Sequence, residues 1–192
     1  MLELSMLIGE GKSRKVYQHP IDPQKVIKVE YLKAKHFKPN NEVEYLYYAY
    51  LKKKNKDLSC VAKCYGWVET KEGRGLVFEK ICNEDGTLAK TLREAIAHNE
   101  LTFEEADGLI CELIEYLKKN TIMFVDVSLD NIVLRKNASH NTLVIIDGLG
   151  SRRMRLKFKM YLLFPSFAQY KIKKQTQKLY RKFKQLTCKA KK

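Results

Sequence analysis

Residues 122–150 contain two apolar runs that each end on an oxygen-bearing side chain, and this pattern limits what the chain can fold into. Ile122-Met-Phe-Val leads to Asp126, a polar loop runs to Asn131, and Ile132-Val-Leu134 follows at once. Leu143-Val-Ile-Ile146 then ends on Asp147-Gly148, sixteen residues beyond Asn131. Short apolar runs bounded by turn residues read as buried strands. In this order the strands bring Asp126, Asn131 and Asp147 together. All three are oxygen donors, and Mg²⁺ usually takes one or two carboxylates with phosphate oxygens and water. Just upstream, Thr102-Phe-Glu-Glu105 is a capping box. It opens a helix with Ala106, Leu109, Ile110, Leu113, Ile114 and Leu117 on one face. That helix is core in any fold and carries no chemistry.

A chain of 192 residues suffices for one domain, or one domain with an appendage. Its five cysteines (60, 64, 82, 111 and 188) lack disulfide-framework spacing and read as reduced thiols of a cytoplasmic protein. Cys60 and Cys64 have no second Cys/His pair at ligand spacing, so zinc is not expected. No basic leader with an apolar run opens the chain, and no stretch approaches eighteen apolar residues. A secretory signal and a membrane-spanning helix are therefore not expected. Charge is partitioned sharply. Residues 151–192 hold 15 Lys/Arg and no Asp or Glu, which leaves 37 − 15 = 22 basic against 22 acidic residues before them. The body is neutral, a boundary falls near Gly150-Ser151, and the tail calls for an anionic partner.

The N-terminal part reads as strands. Ser5–Ile8 leads into Gly9-Glu-Gly11 and on to Arg14-Lys-Val16-Tyr17, and Val26-Ile-Lys28-Val29 forms the next strand. Glycines at 9 and 11 let backbone N–H groups approach a phosphate. Lys28 admits a plainer reading as the solvent-facing residue of an alternating strand, since lysine is rarely buried unpaired. A helix is expected over 40–54, capped by Asn40 or Asn41, with Glu42 and Glu44 in its first turn. Tyr45, Tyr47, Tyr48 and Tyr50 are packing residues. Further strands are expected over 60–68 and 75–81 around a charged turn at 69–74, then a short helix over 88–97.

Gly9-Glu-Gly11 to Val16, Val26-Ile-Lys28, Asn41-Glu-Val-Glu44-Tyr-Leu-Tyr-Tyr48, Asp126 to Asn131 and Ile146-Asp147 occur in one order across 1–150. In that order the chain resembles the kinase-like YrbL family of PhoP-regulatory-network proteins. More distantly it is similar to bacterial kinases of lipopolysaccharide core sugars. The resemblance implies an α+β fold: a small two-lobe, protein-kinase-like domain, N-lobe about 1–81 and abbreviated C-lobe about 82–150, with a basic helical appendage at 151–192. It implies ATP and Mg²⁺ as cofactors. Lys28 would contact the α/β-phosphates and Glu44 would hold it, with Glu42 in reserve; otherwise both acids only complement the helix dipole. Gly9, Gly11 and Val16 would border the nucleotide, and the backbone from Glu79 to Ile81 would meet the adenine edge. Asp126 would be the catalytic base, and Asn131 and Asp147 the metal ligands.

The chain departs from that pattern at several points. Arg14 stands where the loop's third glycine belongs, either narrowing the phosphate cradle or adding a charge contact. Phe124 and Val125 replace the His-Arg before the catalytic Asp, Ser128 replaces a basic residue, and Gly148-Leu149 replaces Phe-Gly. Only 192 − 147 = 45 residues follow Asp147, which favours a glycan or lipid-linked acceptor over a folded protein. In the tail, Ile172, Thr176, Leu179, Phe183 and Leu186 recur as one helical stripe with Lys and Arg on the other faces. Such a helix either lies on an anionic membrane, peripheral to the inner face, or docks its stripe on the body. The leading expectation is an ATP/Mg²⁺-dependent phosphotransferase. The opposing one is a non-catalytic, kinase-like regulator of the envelope, and nucleic-acid binding by the tail ranks last for want of a motif.

Overall fold

The computed structural model describes residues 1–11, 13–31, 40–151 and 156–190. Five strands form one antiparallel sheet in the order β1-β2-β3-β5-β4: β1 Leu7–Glu10, β2 Arg14–Gln18, β3 Lys25–Glu30, β4 Cys64–Thr70 and β5 Gly73–Glu79. Helix α1 (Asn40–Lys53) lies between β3 and β4 in the chain. The second half holds α2 (Leu92–Ala97), α3 (Phe103–Asn120), the hairpin β6 (Ile132–Arg135) and β7 (Thr142–Ile145), then α4 (Leu156–Leu163) and α5 (Pro165–Ala190). The result is the expected α+β arrangement: a strand-rich lobe with one helix, and a helical lobe carrying a hairpin.

β3 reads Lys-Val-Ile-Lys-Val-Glu, and its β-branched residues suit a pleated surface. Val26, Ile27, Lys28 and Val29 are all buried, so the strand is covered on both faces and Lys28 does not face solvent. Gly75 on β5 is required by close approach, because a Cβ there would lie 2.4 Å from the Ile27 side chain. The described part of α1 opens at Asn40, and the residues before it lie outside the described ones. Glu30, at the end of β3, accepts the Asn41 N–H at 2.7 Å, while the Asn41 side chain turns inward.

Several boundaries differ from the sequence expectation. β4 begins at Cys64 rather than 60, because Val61 pairs instead with Ile145 across the lobes. The charged turn shrinks to Lys71-Glu72, since both strands extend into it. The helix expected from Leu88 begins only at Leu92, after a Thr91/Glu94 capping box. The Thr102/Glu105 box on α3 forms as read, with each side chain bonded to the other residue's backbone N–H.

One apolar cluster joins the lobes and reaches the tail. It takes in Val26, Tyr47, Leu76 and Phe78 from the upper lobe, Ile110, Leu113 and Ile145 from the lower, and Phe158, Ile172, Leu179 and Phe183 from α4 and α5. Ile172, Thr176, Leu179 and Phe183 are at most 3 % exposed, so the tail's stripe docks on the body. Tyr180 donates to Asp107 and Lys184 pairs with the same carboxylate at 2.9 Å, which fixes α5 along α3.

Candidate active site

The cleft is built from the edges of both lobes. β2 and β3 pair with Val16 opposite Lys28, which places an apolar residue beside the lysine on the cleft wall. A cavity of about 330 Å³ is lined by Gly9, Val16, Lys28, Phe78, Ile81 and Asp147 among others, with Asn131, Glu79 and Val133 also on its walls. Seven of the sequence-chosen residues thus share one cavity. Gly11 is not among its lining residues; its N–H closes the β1–β2 turn on the Arg14 carbonyl at 2.8 Å.

Lys28 is buried, and its ammonium donates to the Ile146 carbonyl at 2.7 Å and lies 3.4 Å from Glu44 and 3.9 Å from Asp147. It also sits 4.0 Å over the Phe78 ring. The structure selects Glu44 over Glu42: Glu44 is buried against the lysine and Glu42 is exposed. Backbone use narrows the adenine-facing stretch. The Glu79 N–H bonds the Lys63 carbonyl and the Lys80 N–H bonds Gln24, each at 2.8 Å. The Glu79 carboxylate pairs with Arg135 at 2.7 Å. Ile81 keeps its place on the cavity wall.

Arg14, read from the sequence only as narrowing the cradle or adding a charge contact, is the centre of the charge network. Arg14 is buried, and its guanidinium donates to Asn41 at 2.7 Å, to Glu44 at 2.6 Å and to Asp147. Asn41 completes the frame by donating to the Lys28 carbonyl at 2.8 Å. Burial by itself would raise the Asp147 carboxyl. The charges of Lys28 and Arg14, the Arg14 hydrogen bond and the Gly148 N–H outweigh it and hold the group well below the usual carboxylate range. Burial would likewise lower Arg14, but Glu44 and Asp147 keep its pKa raised. The signal for Arg14 was present as a charged residue in a glycine's place. Its partner could not be read, since Asp147 lies 133 residues away.

The loop from Asp126 to Asn131 is held from several sides. Ser128 accepts from the Asp130 N–H and caps the 3₁₀ turn Leu129–Asn131. Arg93 on α2 binds Asp130 at 2.6 Å, and Lys182 on α5 donates to the Val127 carbonyl at 2.8 Å. The Asn131 amide donates to the Asp126 carbonyl at 2.8 Å, and Asn131 lines the cavity. The N–H groups of Val125 and Asp126 both reach the Gly148 carbonyl, at 2.8 and 3.0 Å. Gly148 is in the left-handed region at φ 86°, and a Cβ would meet Asp126 at 3.0 Å and Asn131 at 3.1 Å. Glycine is therefore needed where kinases place an aromatic residue. Gly150, at φ 78°, lies against the Tyr47 ring, whose hydroxyl accepts the Met123 N–H at 2.8 Å. Asp126 lies outside the larger cavity, in an adjoining recess of about 100 Å³ with Ser13, Arg14, Asn40 and Ser151; Asp147 borders both.

Asn131 and Asp147 are a chemically suitable pair for a divalent cation: one amide oxygen and one carboxylate whose second oxygen is not taken by Arg14 or Gly148. Among the described residues no three His, Cys, Asp or Glu side chains cluster, so such an ion would rely on phosphate oxygens and water for its other ligands.

A five-stranded sheet with an inward Lys–Glu pair, above a loop–hairpin–Asp-Gly unit, defines a protein-kinase-like fold. A solved kinase domain shares it at a TM-score of 0.50 and 18 % identity, over 75 % of this chain; the chain spans about half (49 %) of that domain. Within this class the chain belongs to the YrbL family, PhoP regulatory network protein YrbL, whose profile matches residues 1–184. Proteins of that name from Escherichia coli (strain K12) and Shigella flexneri are each 31 % identical over 146 residues, 74 % of this chain and 70 % of theirs. The family match runs through most of α5, which agrees with the packing of that helix on the body.

Proposed function

We propose that the cleft binds ATP with Mg²⁺ and transfers the γ-phosphoryl group to a hydroxyl of a small or lipid-linked acceptor, a glycan being the best chemical fit. The observation that carries this reading is that Lys28, Asn131 and Asp147 line one cavity while Glu44 and Asp147 both lie against the Lys28 ammonium. Phosphoryl transfer depends on positioning and electrostatics more than on covalent help from the protein. Lys28, held by Glu44, is placed to contact the α/β-phosphates. Asn131 and Asp147 would hold the metal, which when bound neutralises charge on the phosphates. Ile81 would offer its N–H to the adenine edge, its carbonyl being held by the Ala89 N–H at 3.0 Å. Asp126 would take the acceptor's proton, in a recess whose Ser13, Asn40 and Ser151 side chains suit sugar hydroxyls. ATP use assigns the site to the cytoplasmic side. No helix among the described residues is long and apolar enough to cross a membrane.

A second reading has its own observation. Arg14 occupies an Asp147 oxygen, so the protein already neutralises its metal carboxylate with a built-in cation. A non-catalytic regulator that binds nucleotide weakly, or only a partner, would look like this.

Thermal unfolding separates the two. ATP with Mg²⁺ should raise the midpoint, Asp147→Asn should remove the Mg²⁺-dependent part, and Asp126→Asn should keep the shift while turnover falls by about 10²-fold or more. Absence of any shift at millimolar ATP would overturn nucleotide binding. A shift with no phosphate release from the unaltered chain under any acceptor would favour the regulator.

A further inference from the structure

α5 has two faces with opposite chemistry. Ala168, Ile172, Gln175, Leu179 and Phe183 turn into the body and are buried. Along one outer flank Phe167, Lys171, Lys174, Lys178 and Arg181 recur at 4-3-4-3 spacing, one continuous stripe of a 3.6-residue helix, with Phe167, Lys174 and Arg181 exposed and Lys171 and Lys178 half-buried. At the start of that stripe the chain turns from α4 into α5 and leaves four large side chains in solvent: Leu163 is 72 % exposed, Phe164 51 %, Phe167 48 % and Tyr170 60 %. Phe164 and Phe167 meet edge to face at 6.1 Å, and the Lys174 ammonium lies 4.6 Å over the Tyr170 ring. Single exposed apolar residues are ordinary, but four contiguous ones mark an interaction surface.

Charge beside the corner is of one sign. Residues 151–192 contain no acid, and among the described residues none of Lys171, Lys173, Lys174, Lys178 and Arg181 pairs with a carboxylate. A separate groove of about 690 Å³ lies between α3 and α5 on the other flank of the helix, where Lys118 and Lys173 border Ile114, Ile172 and Tyr180. The cations that do serve the fold, Lys182 and Lys184, lie toward the body.

We propose that the α4–α5 corner and the outer stripe of α5 dock the molecule on an anionic phospholipid surface. Leu163, Phe164, Phe167 and Tyr170 enter the boundary between headgroups and acyl chains, and the Lys/Arg stripe lies along the lipid phosphates. Apolar insertion beside a basic helical face is how a peripheral helix holds a bilayer. Nucleic acid satisfies the cations, and aromatic rings stack on bases, but Leu163 at the corner has no role there. The inserting residues are not the predicted membrane stripe. That stripe is consumed by the core, and the docking surface is a separate outer flank of the helix.

Flotation of the full chain tests this, with vesicles of phosphatidylcholine and with vesicles in which about one third of the lipid is phosphatidylglycerol. The chain should float with the anionic vesicles only, and added NaCl should weaken binding. Lys171→Gln and Lys174→Gln should each lower partition about fivefold. Phe164→Ser with Phe167→Ser should abolish it while leaving the unfolding midpoint unchanged, since both rings are exposed. Failure to bind anionic vesicles, or full binding by the double Phe variant, overturns the proposal. Capture of a duplex or single-stranded oligonucleotide in place of vesicles assigns the face to nucleic acid instead.

Discussion

Arg14 decides how the charges of the cleft balance. Glu44 sits between two cations, Lys28 at 3.4 Å and Arg14 at 2.6 Å, and Asp147 is reached by both. Arginine suits this because its planar fork serves several oxygens at once, which the Lys28 ammonium cannot. Removing one member of a buried ion network leaves the rest desolvated without compensation. Arg14→Met should therefore destabilise the protein by about 3 kcal/mol, toward the low end for buried pairs because Lys28 still faces both carboxylates. Urea unfolding measures it, and a loss under about 0.5 kcal/mol would show that the network contributes no more than a surface pair.

At the level of elements, what could be read ahead of the structure depended on whether the signal was local. The Asp126–Asn131 loop, the Asp147-Gly148 turn and the α3 capping box are contiguous patterns, and the structure has each where the sequence puts it. Lys28 and Glu44 were legible as types at a spacing, although burial of Lys28 was not, because alternation cannot tell a strand covered on one face from one covered on both. The Arg14–Asp147 contact depends on where the β1–β2 turn meets a strand end 133 residues on, which no local pattern encodes. α5 is the instructive case. Its stripe has the same period whether it faces lipid or protein, and only the fold shows Leu179 and Phe183 fully buried. Phe183 stacks on Phe103 at 5.6 Å. Phe183→Ala should cost about 3–5 kcal/mol, the usual range for emptying a buried ring site. A cost near zero in urea unfolding would mean that α5 does not dock in solution.

For the whole molecule, α5 is a structural member of the kinase-like body, and this changes how the tail must be tested. Burying a large apolar side chain stabilises by about 1.5–3 kcal/mol. Ile172, Leu179 and Phe183 together therefore contribute a sum comparable to the ~5–15 kcal/mol net stability of a typical domain. The helix also holds the loop that carries Asp126, through Lys182 and the Val127 carbonyl, and braces α3 through Asp107. A chain cut after Ser151 would expose the lower lobe's apolar surface and free one side of that loop. It should lose its cooperative unfolding transition and bind a hydrophobic dye, whereas the full chain should unfold in one step seen alike by far-UV circular dichroism and by Trp67 fluorescence. A truncated chain with an unchanged midpoint would mean that the body folds alone and α5 is only attached to it. For that reason the proposed membrane face must be probed by substitutions at exposed positions such as Phe164 and Lys174, which the core does not use, rather than by deletion of the tail.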